Sequence, residues 1–449
     1  MADHERPKVI ALYLPQFHPI PENDAWWGKG FTEWRNVVKA RPLFDGHDQP
    51  HLPADLGYYD LRVPEVREQQ AALARAHGID AFCYYHYWFG GRRVLERVFD
   101  EVLASGSPDL PFCLCWANEN WTRAWDASEH EVLLRQEYGT DEREEHVRFL
   151  VGAFADPRYL RVDGRPLFLI YRIQALPDWE GFIELLRRRC IDAGVGDPHL
   201  VKFDTYGLED PPGALGCDAA AQFLPHGVGE RVTPVVVPDA APGNTVWQYD
   251  DIVAAQLGVP APEWTRYECV FPGWDNSARR GDGRSIVVVG STPEAYERWL
   301  REVCDRAPAR GGLVFVNAWN EWAEGAHLEP DERNGDAYLR ATARAVLGSE
   351  PTGPELGSTG DAEWIRTGPR FSDLYVDLYD RCVRLQRRLT ATESLLQRQI
   401  EAVADTSAVD GSLALIDRLR SRVAELEGRL ADLEATPASA QSLGRPGAG

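Results

Sequence analysis

Short runs of β-branched and aromatic residues alternate with helix-period segments from the start of the chain to about Gly348. Few folds accept that order, because a strand followed by a helix and then another strand builds a parallel sheet with helices packed over it. Eight runs have strand character: Val9–Leu14, Ile79–Tyr84, Phe112–Trp116, Leu167–Tyr171, Leu200–Asp204, Ala219–Phe223, Glu268–Phe271 and Leu313–Ala318. Leu167–Tyr171 and Leu313–Val316 are apolar on both faces, as strands covered on both sides must be. Helical patterns fall at about 64–77, 91–104, 141–155, 178–194, 245–257, 292–306 and 334–346. The interval Gly207–Gly216 holds Pro211-Pro212 and no helical pattern. The expected fold is therefore α/β, a (β/α)8 TIM-type barrel that is irregular after its fifth strand.

The barrel is expected to occupy residues 1–350 of the 449. A Gly, Pro, Ser and Thr-rich linker follows over 351–370. A helical region over 371–436 comes next, and the closing residues 437–449 read as a disordered tail. Ile416, Leu419, Val423, Leu426, Leu430 and Leu433 alternate three and four apart, as the seam of a coiled coil does. A homo-oligomer joined through 413–436 is one reading. The stretch is short after the interruption at Ala404–Ser412, so an intramolecular helical hairpin is the other.

The formal net charge of −22 disfavours partners held by counterion release, and no nucleic-acid partner is expected. The chain begins without the basic-then-apolar pattern of a signal peptide, and no apolar run approaches the ~20 residues of a membrane span. A cytoplasmic protein with no transmembrane segment is expected. The eight cysteines sit mostly inside apolar runs without a repeated short spacing, which reads as reduced core residues rather than a disulfide framework or metal cage.

Active sites of such barrels lie at the C-terminal ends of the strands. Those ends are crowded with aromatic and polar residues. The first strand leads into Tyr13, Gln16 and His18, and then a loop carrying Trp26, Trp27, Glu33 and Trp34. The second ends in Tyr85, His86 and Trp88. The third gives Trp116, Asn118, Glu119, Asn120 and Trp121, the seventh Trp274, Asp275 and Asn276, and the eighth Trp319, Asn320, Glu321, Trp322 and Glu324. Sugars present C–H faces to aromatic rings and hydroxyl edges to polar groups, so this mixture suits a glycan or sugar-donor substrate. Any single aromatic could equally fill the core. The chain has fifteen tryptophans, and the clustering of aromatics with carboxamides and carboxylates at five strand ends is harder to assign to packing, because buried polar groups demand partners.

Glu321 and Glu324 are the expected catalytic residues. A three-residue spacing on a strand-to-helix turn can aim both carboxyls into the barrel mouth, where one protonated and one ionised carboxyl suit glycosyl transfer. Trp319 and Trp322 would lower the local polarity and help one of them stay protonated. The plainer alternative is an acidic first turn of a helix. Glu119, between two asparagines, is the rival carboxylate. His18, His86 and His226 follow strands and could bind substrate or simply be satisfied structural histidines. Arg123, Arg172, Arg279 and Arg280 are candidates for a donor phosphate or for structure. No Asp-x-Asp, Walker-type loop or Gly-x-Gly-x-x-Gly after a strand occurs, so no metal or other cofactor is expected.

In these segments the chain resembles the WbsX-type glycosyltransferase family, also described as glycoside hydrolase family 99-like. The resemblance runs over about residues 8–347, through Tyr13–His18, Trp26–Trp34, Asp55–Leu61, Tyr84–Phe89, Trp116–Trp121, Phe271–Asn276 and Asn320–Gly325. It implies a retaining enzyme on a (β/α)8 barrel. Glu321 would deprotonate the sugar's 2-hydroxyl to give an anhydro-sugar intermediate, and Glu324 would act as acid and then base. Ala323 stands where many hydrolases of family 99 carry His, which implies synthesis, with assembly of O-antigen or a related cell-surface polysaccharide as the expected setting. The alternatives are a retaining endo-α-mannosidase-like hydrolase and an inactive glycan-binding scaffold.

Overall fold

The computed structural model describes residues 6–123, 128–238, 240–241, 243–281 and 283–351. The linker, the 371–436 helical region with its 413–436 seam, and the 437–449 tail lie outside the described residues.

Eight strands form the barrel: β1 (Lys8–Tyr13), β2 (Ala81–Phe89), β3 (Phe112–Trp116), β4 (Arg165–Ile170), β5 (His199–Asp204), β6 (Ala219–Gln222), β7 (Arg266–Val270) and β8 (Leu313–Val316). Each pairs in parallel with its neighbour in chain order. The ring closes where Lys8 to Ala11 of β1 lie opposite Leu313 to Val316 of β8. Closure removes both sheet edges and buries each strand between the barrel interior and the helices. Val9–Tyr13, Pro166–Ile170 and Leu313–Val316 are accordingly buried without interruption. β6 is Ala-Ala-Ala-Gln, and its small side chains leave room for the large aromatics of nearby elements, where Phe203 packs 5.2 Å from Phe223 and 5.9 Å from Phe315 between ring centroids.

The outer helices are α1 (Pro64–Ala76), α2 (Glu96–Ser105), α3 (Thr140–Phe154), α4 (Trp179–Asp192), α5 (Tyr249–Leu257), α6 (Pro293–Arg306) and α7 (Ala337–Leu347). Their starts follow local chemistry. Thr292 Oγ1 accepts the Ala295 amide ahead of Pro293 in α6, and Asp178 accepts the Gly181 amide in α4. The fifth unit has no α-helix, only a 3-10 turn at Pro212–Leu215, as the Pro211-Pro212 pair requires.

Three segments differ from the expected boundaries. The helix expected over 91–104 begins at Glu96, because Gly90-Gly91, at φ 55° and 83°, turns Arg92–Val94 back onto the extended end of β2 as a hairpin. The pattern expected over 245–257 opens as a strand, Thr245–Gln248, which pairs with Ile286–Val289 in a small side sheet before α5 starts. The loop after β3 carries a further hairpin, Trp121–Arg123 with Ser128–Leu134. The cysteines among the described residues are free, and all except the half-buried Cys304 are buried. No helix among them is long and apolar enough to cross a membrane.

Candidate active site at the barrel mouth

A cavity of about 510 Å³ opens at the C-terminal ends of the strands. That size lies within the ordinary range of ligand pockets. Tyr85, Tyr87, Glu119, Asn120 and Trp121 line it, with Tyr171, Tyr206, Phe223, His226 and Trp247. Trp274, Asn276, Arg279, Arg280, Glu321 and Glu324 complete it.

Arg279 organises the carboxyls. Its Nε donates to Glu33 Oε1 at 2.7 Å, one terminal nitrogen contacts Glu321 Oε2 at 2.7 Å, and the other contacts Glu324 Oε1 at 2.6 Å. The Glu321 side chain is 6% exposed and that of Glu324 is 21% exposed, so the first sits deeper. Burial pushes the Glu321 carboxyl up to about 8; Arg279 opposes that rise, while the charges of Glu324 and Glu33 add to it. Near neutral pH the cluster therefore holds a proton. Burial, and then the charge of Glu321, also raises Tyr85 and Tyr87, which keeps both phenols protonated as donors.

Both glutamates sit on a β-hairpin, not on a strand-to-helix turn. Asn320-Glu321 pairs antiparallel with Ala326-His327 around a 3-10 turn at Trp322–Glu324, and α7 begins only at Ala337. Asn320 fixes the hairpin to the end of β1, donating to Leu14 O at 3.0 Å while its Oδ1 accepts the Leu14 amide at 2.8 Å. Gly325 lies at φ 60°, and a Cβ there would fall 2.9 Å from the Asp275 amide nitrogen, so both conformation and space demand glycine. The Asp275 amide donates to Glu324 O at 2.6 Å.

Asp275 is itself clamped. Its Oδ2 receives His47 Nε2 and Gln49 Nε2, each at 2.6 Å, and its Oδ1 accepts the Ser277 amide at 2.9 Å. The bond with His47, together with the other donors, outweighs burial and holds the Asp275 carboxyl below its usual range. Asn276 Oδ1 accepts the Ile286 amide at 2.8 Å. These two residues set the short helix Ser277–Arg280 and hence the position of Arg279.

Of the residues singled out in the sequence, Glu321, Glu324, Tyr85, Glu119, Asn120, Trp121, His226, Trp274, Asn276, Arg279 and Arg280 line the cavity. Most of the others lie behind it. Tyr13 is enclosed and donates to Gln70 at 2.7 Å, and Gln16 is buried with its carbonyl accepting the Glu33 amide. His18 is buried, and that burial brings its ring down to about 4. Trp34 donates to Tyr59 O at 2.8 Å. His86 and Trp88 share the outward face of β2, where His86 meets His146 of α3 at 3.0 Å and Trp88 stacks on His146. Trp116 packs against the same histidine. Asn118 exchanges two hydrogen bonds with the Arg172 backbone. Trp319 is a core residue packed on Phe82, and Trp322 stacks on His327 while donating to the buried Glu329 at 2.7 Å. The two tryptophans flank Glu321 in sequence without lining its cavity.

Tyr87, Tyr171, Tyr206 and Trp247 line the cavity and Glu33 holds Arg279, yet none of these five carried a site role in the sequence reading; Arg279, singled out there for a donor phosphate, instead grips the carboxyls. The period-two rule could have found Tyr87, because in a strand it shares the face of Tyr85 and opposes His86 and Trp88. Nothing local marks Tyr206, held at φ 53° with its ring against His226 and the Arg172 guanidinium 5.1 Å above it. Arg172 also pairs with Glu119 at 2.9 Å, which ties the rival carboxylate to a guanidinium other than that of Arg279.

Residues 9–342 match the model of a family described as Glycosyltransferase WbsX. Two proteins of Xanthomonas campestris pv. campestris, strains B100 and ATCC 33913, each described as uncharacterized protein WxcX, are 45% identical over 358 residues, covering 78% of this chain and 51% of theirs. The chain thus spans about half the length of the curated relatives it matches. Among solved structures, a glycoside hydrolase-like protein is similar at 14% identity and a TM-score of 0.48, covering 77% of this chain and 95% of the other. A GH99 endo-alpha-mannosidase from Bacteroides thetaiotaomicron is similar at 15% identity and a TM-score of 0.47, covering 78% of this chain and 98% of the other. With residues 9–342 matched and an aromatic, carboxyl-bearing cavity at the mouth of a closed barrel, the chain belongs to the WbsX glycosyltransferase family, a family of carbohydrate-active enzymes.

Proposed function

We propose that this chain is a retaining glycosyl-transfer enzyme of bacterial cell-surface polysaccharide assembly, O-antigen or a related polymer, working through Glu321 and Glu324. The observation that carries the reading is the grip of one guanidinium on both carboxyls inside the aromatic cavity, where burial raises the Glu321 carboxyl to about 8. Such a pair supplies an acid and a base at one place, and the proton belongs to the pair rather than to either residue.

In the reactive arrangement Glu324 carries the proton and Glu321 the charge. Its raised affinity for a proton makes Glu321 the base suited to a sugar hydroxyl. Glu321 takes the proton of the 2-hydroxyl as that oxygen bonds to the anomeric carbon. Glu324 gives its proton to the leaving oxygen as the glycosidic bond breaks. An acceptor hydroxyl, deprotonated by Glu324, then opens the anhydro-sugar while Glu321 returns a proton to the 2-oxygen. Two displacements retain the anomeric configuration. The aromatic residues that line the cavity with the carboxyls offer faces for sugar C–H groups.

A retaining endo-glycosidase, with water as the acceptor, is the second reading. It is favoured by one placement: Ala323, whose departure from His spoke against hydrolysis, is fully buried and lines no part of the cavity. Separate Glu321→Gln and Glu324→Gln variants, assayed against a panel of sugar donors and glycans, should lose turnover by orders of magnitude with the fold kept. Wild-type turnover in either would end its catalytic assignment. NMR of the first-formed product gives the anomer and shows whether a sugar or water accepted it. Binding without turnover in the wild type would leave a glycan-binding scaffold.

A further inference from the structure

Arg279 gives its Nε–H to neither member of the proposed pair. It gives it to Glu33, a fully buried residue of the loop after β1. The same Glu33 oxygen takes Asn36 Nδ2 at 3.3 Å, while its other oxygen is buried with no hydrogen-bond partner. A carboxylate enclosed with half its capacity unused costs stability. The fold nonetheless holds it firmly. The Glu33 amide donates to Gln16 O, and its carbonyl accepts the Asn36 and Val37 amides to start the turn Trp34–Val37. That turn packs on both the Ser277–Arg280 helix and the Trp322–Glu324 turn.

We infer that Glu33 is a positioning residue of the reaction: by occupying the Nε edge of Arg279 it stops that one guanidinium from neutralising both Glu321 and Glu324, so the pair must keep a proton. The charge count explains why. One cation between two carboxylates can support both as anions. With Glu33 on the same guanidinium, three carboxyls share the cation that touches all of them, and their mutual repulsion favours keeping a proton on the pair. The groups around it on the surrounding elements are Arg279, Glu324, Tyr85 and Tyr87 by Glu321, Arg280 in the same cavity lining, and Lys39, itself near Arg35, by Glu33. Burial weakens the hold of Lys39 on its proton, while the charge of Glu33 strengthens it. The role rests on the reading of Glu321 and Glu324 as acid and base, but its test needs no substrate.

The full chain with 13C-labelled glutamate is titrated by NMR, with Glu321→Gln and Glu324→Gln identifying the pair's signals. In the wild type the shared proton is lost as pH rises through about 8. In Glu33→Gln, an isosteric change, the midpoint falls by about one pH unit or more, a roughly tenfold loss of affinity for the proton. Glu33→Asp keeps the charge but draws the carboxyl back by one methylene, and it shifts the midpoint the same way by less. This second variant decides the matter if the first does not fold. Titration at the wild-type midpoint in either folded variant overturns the role of Glu33. Loss of stability without a shift in midpoint would make the residue purely structural. Wild-type turnover in Glu321→Gln or Glu324→Gln would instead remove the catalytic reading and leave the titration standing.

Discussion

Glu321→Gln should make the protein less sensitive to alkaline pH even as it removes activity. Burial raises the folded-state carboxyl from an ordinary 4.5 to about 8. The folded protein thus binds one more proton than the unfolded chain between those values. That stabilisation is complete below about pH 4.5 and is lost as pH rises through about 8. Each pH unit inside the window is worth about 1.4 kcal/mol, so between about pH 5.5 and 8.5 the contribution falls by about 3 kcal/mol. Glutamine fills the same space and has no proton to lose. Denaturation midpoints of wild type and variant, measured at several pH values and constant ionic strength, should diverge, with the variant losing about 3 kcal/mol less over that interval. Burial also pushes Glu329 up, to about 7, and gives both proteins its own slope, which cancels in the difference. Parallel curves would refute the reasoning, since they would mean that Glu321 is already ionised in the folded protein.

Gly325→Ala should cost about 2–4 kcal/mol, from a left-handed backbone combined with a contact against the Asp275 amide, and should lower turnover as Glu324 is displaced; thermal unfolding within about 0.5 kcal/mol of wild type would contradict this. The seam Ile416–Leu433 predicts self-association of the full chain. Sedimentation should show an oligomer that becomes a monomer when residues 371–449 are removed, and a monomer in both cases would rule it out.

The barrel was legible because each strand had to be apolar on two faces and each helix on one, and those periods are written locally in stretches such as Leu167–Tyr171 and Pro293–Arg306. The proline pair at 211–212 announced the missing fifth helix in the same local way. The hairpin at Gly90-Gly91 carried its own turn signal, masked by the helical pattern that follows it. Strand ends were legible as places, but the direction of each side chain was not always. Tyr85 and Tyr87 face the cavity while His86 and Trp88 face α3, a distinction that depends on the parity of one strand. Arg279 was legible only as a candidate for a donor phosphate, and its pairing with Glu33 was beyond local reading. The two are 246 residues apart and meet only when the loops after β1, β7 and β8 come together.

The contact between Gly325 and Asp275 makes the loops after β7 and β8 a single unit of inheritance. A hairpin transplanted from a relative with a different specificity would arrive with its glutamates but without the backbone it leans on. Exchange of residues 320–327 alone should therefore produce inert proteins, and only chimaeras that bring 272–280 across with them carry the donor's chemistry intact. Efforts to alter what this barrel accepts are better directed at the aromatic residues Tyr206 and Trp247, which line the cavity and belong to neither loop.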